Sequence, residues 1–135
     1  MNVKRYFLAS LASFVFIFLF EFLFHGNILM PAYERTAHLW RSSDQMQQFM
    51  HWMLISQILK AFVVGFIFTR HYEGKGLVEG IRFGSMIGLL LGVMQFSTYA
   101  YMPIPFGLAL SWFIGSFIEA LGVGIILALI YKKKA

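Results

Sequence analysis

Cysteine is absent from this sequence. That excludes disulfide staples, thiol redox chemistry and thiolate metal sites, and says nothing about compartment. Charge is scarce as well: 13% of the 135 residues are charged, where a soluble domain has about a quarter. Proline is confined to Pro31, Pro103 and Pro105, outside every long apolar run. Reactive patterns are missing too. The glycines recur at helical spacing inside an apolar run, so they form no phosphate-binding loop. There is no histidine-box set, and no serine has a base beside it at matching depth. The sequence therefore argues against phosphoryl transfer and nucleophilic hydrolysis.

What is present is hydrocarbon, with 59% of residues hydrophobic. A chain of this size cannot bury that much in one core and still cover itself with polar surface. Its solvent is lipid. Four segments reach the roughly 20 apolar residues needed to cross a bilayer: about Tyr6–Phe24, Phe49–Phe68, Leu77–Phe96 and Gly107–Tyr131. The expected fold is an all-α integral membrane protein, a single four-transmembrane-helix bundle over residues 1–135. Lys4 and Arg5 precede the first run as in a signal peptide. The run is longer than the roughly 7–15 residues of a signal core and no small-x-small site follows, so we read a retained anchor.

The net charge of +5 does not point to nucleic acid, because the charges sit at the ends of the apolar runs, where headgroups would meet them. If the spans alternate, Lys4, Arg5, Arg70, Lys75, Lys132, Lys133 and Lys134 share one side. The other side has Arg35 and Arg41, with Glu34 and Asp44 nearby. This bias puts both termini in the cytoplasm, and a bacterial cytoplasmic membrane is the expected location. Pro31, Tyr33 and Trp40 suggest a short interfacial helix over about 30–41 in the long outer loop. Ser42 and Gln45 form a capping-box pattern that starts the second helix outside the bilayer.

Glycines at 76, 80, 84, 88 and 92 fall once every four residues. In lipid, apolar side chains gain nothing by leaving an equally apolar solvent, so helices associate through close backbone contact. Gly76, Gly80, Gly84, Gly88 and Gly92 are thus read as a glycine zipper. Matching small ridges on the fourth span are Gly107, Ser111 and Gly115, then Ser116, Ala120, Gly124 and Ala128. Such faces fit a homo-oligomer as well as packing within one chain.

An ionisable side chain at mid-membrane costs at least ~2.5 kcal/mol and normally turns inward to a partner. Lys60 and Glu119 lie about eleven and twelve residues from the outer ends of their spans, which makes them nearly level and predicts an ion pair, with Gln57 on the Lys60 face. Such a pair either fixes helix register or opens when a proton, ion or solute competes for one partner. Glu21 and His25, one turn apart on the first span, form a second group nearer the outer surface. With Gln95, and with Asn27 and Tyr99 above, they suggest a polar vestibule in which His25 accepts protons.

His25, His38 and His51 lie near Met46, Met50 and Met53, donors that would suit copper or haem. The spacing matches no established ligand pattern, so no metal or cofactor is expected; His25, His51 and Met50 are the weak candidates. The layout of four short spans with a carboxylate in the first is similar to that of the small multidrug transporters. The similarity is one of layout and carries no residues across. Two functions fit best: a proton- or ion-linked small-solute transporter or binding bundle, or a non-catalytic accessory subunit or assembly factor of a larger membrane complex. A metal- or haem-binding membrane enzyme comes third.

Overall fold

A computed structural model describes residues 1–133. Lys134, counted above with the basic cluster, lies outside the described residues. Those residues form helices and turns and no strand. The elements are α1 (Val3–Leu23), α2 (Met30–Arg35), α3 (Ser43–Arg70), α4 (Leu77–Phe96) and α5 (Phe106–Ile130). A π-helical turn over Phe24–Ile28 extends α1, and 3₁₀ turns at Ala37–Leu39 and Ser97–Ala100 join the rest. Four helices are long and apolar enough to cross a membrane: α1 with its π turn, α3, α4 with its 3₁₀ turn, and α5.

The ends are set by local chemistry. Asn2 caps α1, its side chain accepting from the Arg5 N–H at 3.3 Å. Ser42 and Gln45 form the reciprocal capping box, so α3 starts six residues before its apolar run. Pro31 lies in the first turn of α2, where its missing N–H costs nothing. Pro105 precedes α5 in extended backbone.

The helices run up and down. Asn2 N–H meets the Tyr131 hydroxyl, the Arg5 side chain reaches the Ile130 carbonyl, and Thr69 meets Met1. The start of α1, the end of α3, the start of α4 and the end of α5 therefore share one end, here the terminal end. Phe68, Tyr72, Phe83 and Tyr131 close it with edge-to-face aromatic contacts. In the α3–α4 turn, buried Glu79 accepts the backbone N–H groups of Glu73 at 2.6 Å and Lys75 at 2.8 Å. Lys75 and Arg82 flank Glu73 at 2.5 and 2.7 Å and hold its carboxyl below the ordinary value of 4.5.

α4 lies along α5, α5 along α1, and α1 along α3, while α3 and α4 do not pack along each other. The α4–α5 contact is backbone to backbone. A Cβ on Gly84 would stand 2.7 Å from the Ala120 carbonyl oxygen and 2.8 Å from the Leu121 Cα. Gly80 meets Gly124 and Ala128, Gly88 meets Phe117, and Gly92 meets Phe113. On its other side α5 offers Gly122 and Gly115 as hollows for the rings of Phe16 and Phe24. Phe16, Phe20 and Phe24 form a ladder along α1, with centroids 5.9 and 5.5 Å apart.

Four of the expected packing residues are elsewhere. Gly76 has left-handed φ of +64° before α4 and nothing near its absent side chain, so it makes the turn, as glycine alone does without strain. Gly107 also meets nothing, and the Ser111 hydroxyl bonds back to the Gly107 carbonyl at 2.7 Å. Gly115 packs on α1 rather than α4. Four-residue spacing continues past the place where the two helices touch, and it does not say which neighbour a ridge faces.

Candidate functional site

The inward polar residues meet at one point. Lys60 Nζ on α3 lies 2.6 Å from Glu119 Oε1 on α5, the pairing expected from their depth, and 2.7 Å from Glu21 Oε1 on α1. Gln57, one turn before Lys60, donates from its amide to Glu21 Oε2 at 2.8 Å. Glu21 and Lys60 thus belong to one cluster, not to the separate groups that depth alone suggested. A lysine side chain is long enough to meet a partner more than a turn away in depth, which a count of residues from helix ends does not register.

Beside the cluster lies a cavity of about 330 Å³, lined by all four long helices and the 3₁₀ turn after α4. Glu21, Lys60 and Glu119 form its charged wall; His25, Gln95, Thr98 and Ser116 add polar groups; Phe20, Leu91, Met94 and Tyr101 form the apolar part. Met94, Gln95 and Tyr101 are exposed, so the cavity reaches the surface of the chain beside the end of α4 farther from the termini. Its volume is in the range of small-molecule sites, and a few convergent polar groups in an otherwise apolar wall are typical of them. Asn27 and Tyr99 do not line it. The Asn27 amide turns back to the Phe22 carbonyl, and Tyr99 packs on Phe96 and Phe106.

With all three side chains ionised, two carboxylates face one ammonium, and one negative charge is left over. In a poorly hydrated site such a charge is costly until a proton or cation joins it. The buried amide oxygen of Gln57 has no partner among the described residues, so the free valence beside the cluster is also an acceptor.

His25 faces the cavity from the π turn, closed by Leu29 N–H to the Phe24 carbonyl at 2.9 Å. Its Nδ1 lies 2.6 Å from the Tyr33 hydroxyl oxygen, which also accepts the Trp112 indole N–H at 2.8 Å. An indole can only donate. The assignment that uses every donor has Tyr33 donating to Nδ1 and leaves the His25 proton on Nε2. Burial raises the Tyr33 phenol above its ordinary value of 10.0, so it keeps the proton this requires. Tyr33 and Trp112 thereby tie the segment between α1 and α3 to the cavity wall. Leu29, Ile104, Leu108 and Ala109 form the apolar cluster beneath that segment.

No protein-family model, curated protein or solved structure matches the chain.

The three weak metal candidates do not come together. His51 is exposed and leans on Trp52, Met50 is exposed on the same stretch of α3, and His25 is held by Tyr33. Among the described residues no three His, Asp or Glu side chains come together in a way that could hold a metal ion. Sequence reasoning missed Tyr33 as the partner of His25, Trp112 as the donor to Tyr33, and Leu91, Met94, Thr98, Tyr101 and Ser116 as cavity walls. No local pattern marks those residues; the Phe16–Phe20–Phe24 repeat signals only the α1–α5 contact, where Gly115 and Gly122 supply the hollows.

Proposed function

We propose that this chain is a small-solute transporter or binding bundle linked to protons or ions. It sits in a bacterial cytoplasmic membrane with both termini on the cytoplasmic side. One observation carries the reading: an open cavity of about 330 Å³ walled by a charge cluster with one carboxylate too many. A static ion pair needs neither the space nor the surplus charge. In this orientation the cavity opens away from the cytoplasm, and the Met30–Leu39 segment lies at the outer interface with Tyr33 and Trp40 at headgroup depth.

One feature supports an accessory role, as a subunit docked into a larger complex or a homo-oligomer. From Ser43 to Ser56 every residue of α3 except Leu54 is exposed, including Phe49, Trp52 and Ile55. A partner helix could cover that stretch, and so could lipid.

Because the chain has no cysteine, single-cysteine labelling tests the two readings cleanly. Ser116→Cys in proteoliposomes is expected to react with a membrane-impermeant thiol reagent from the outer face and, in a second population, from the inner face. Labelling from the outer face alone would leave binding and remove transport. Protection that disappears only when a co-isolated partner is stripped away would establish the accessory role.

A further inference from the structure

Resting on that reading, we infer that the cavity takes an uncharged amphiphile with a single hydrocarbon chain. The chain lies between α3 and α4, and a hydroxyl, carbonyl or amide head sits at the cavity mouth. The seam between those two helices is a wedge. Phe68 on α3 and Phe83 on α4 close its foot edge to face, with ring centroids 5.2 Å apart. Farther from the termini the helices do not pack along each other, and Lys60, Val64, Ile87 and Leu91 border shared space instead. That space begins as a narrow apolar recess of about 10 Å³, with Val123 of α5 also on its wall. It continues into the cavity of about 330 Å³ through Lys60, Leu91 and Glu119, which line both.

From Phe83 to Gln95, α4 rises about 18 Å, the length open to a chain. Apolar space of this kind stays dry, and its lining gains dispersion contacts only when hydrocarbon fills it. The bilayer is the medium that supplies hydrocarbon chains, and the recess is too narrow for two. The head follows from which groups are already engaged. Lys60 is held by Glu119 at 2.6 Å and by Glu21 at 2.7 Å, and Glu21 also accepts from Gln57. The coupled proton or ion belongs to that charged wall. What remains for a solute is neutral: the His25 Nε2–H, the Gln95 amide and the Thr98 hydroxyl, whose oxygen accepts the Tyr101 O–H at 3.4 Å. Donors and acceptors are mixed there, which suits a head that both gives and takes hydrogen bonds.

The experiment is photolabelling of the full chain in phosphatidylcholine nanodiscs. The probe is monododecanoylglycerol carrying a diazirine at the far end of its chain, and peptide mass spectrometry reads the labelled residues. Label is expected on Val64 and Ile87, near the foot of the wedge, and should vanish under excess plain monododecanoylglycerol. Dodecyltrimethylammonium and dodecyl sulfate, with equal chains and opposite charges, should leave most of it. Label on Met86 and Leu90, exposed on the same helix, should not be competed. Ile87→Trp fills the recess and should remove the competed label from Val64; thermal unfolding in the same nanodiscs checks that it folds. Gln95→Leu should raise the competitor concentration needed by about fivefold. Label spread equally over Val64, Ile87, Met86 and Leu90 overturns the inference, and so does competition by either charged amphiphile as strong as by the neutral one. If that happens while Ser116→Cys still reacts from both faces, the amphiphile falls and the transport reading stands. If the competed label is found and Ser116→Cys reacts from the outer face alone, the amphiphile is bound and not carried. No competed label, together with silence of Ser116→Cys from both faces, removes both.

Discussion

Along α4, Gly80, Gly84, Gly88 and Gly92 lie against α5 with no polar side chain between them. One helix further on, α1, α3 and α5 meet around Glu21, Gln57, Lys60 and Glu119 beside open space. The first contact is held by dispersion between closely approaching backbones, an attraction that needs no solvent effect. The second is held by ion pairs at 2.6 and 2.7 Å beside open space, a vacancy a glycine contact could not tolerate. The two contacts thus differ in kind: α4–α5 is a tight plate of backbone on backbone, and α1, α3 and α5 meet in a charged contact that borders open space.

That comparison is most sharply tested at Lys60. Lys60→Met leaves Glu21 and Glu119 facing each other without a counter-charge and is expected to destabilise the bundle by about 3 kcal/mol. Adding Glu119→Gln should recover part of the loss in thermal unfolding in detergent. A double variant as damaged as the sum of its parts would mean the three side chains are not coupled.

The plate is tested by Gly84→Ala. Its added methyl meets backbone atoms of Ala120 and Leu121, which cannot rotate away, so a loss of about 1–3 kcal/mol is expected. The same change at Gly107, where nothing stands near, should be neutral or slightly stabilising. Equal effects at the two sites would mean that the backbones of α4 and α5 are not in close contact at Gly84.

The smallest effect is expected at the join between the outer segment and the cavity. Tyr33→Phe removes the hydrogen bonds to His25 and Trp112 and should cost about 1 kcal/mol. It also frees the His25 tautomer, visible as a change in the nitrogen NMR shifts of that ring. Unchanged shifts would mean Tyr33 does not set where the proton sits.

Much of this was legible in the residues. Apolar length found the four long helices, Ser42 and Gln45 found the start of α3, and depth placed Lys60 opposite Glu119. Depth failed for Glu21, because counting from helix ends treats helices as parallel rods and side chains as points. Gly76 and Gly107 were misplaced because a repeat in sequence does not know where a helix begins or where its neighbour stops. The bond from Trp112 to Tyr33 spans 79 positions, and no local pattern encodes it.

Buried Glu79, gathering two backbone N–H groups of the α3–α4 turn, acts like the stitched spine of a book. The end of α3 and the start of α4 are bound at that edge, although the two helices do not pack along each other. Farther along they part, and the space that both of them border is the cavity beside Lys60.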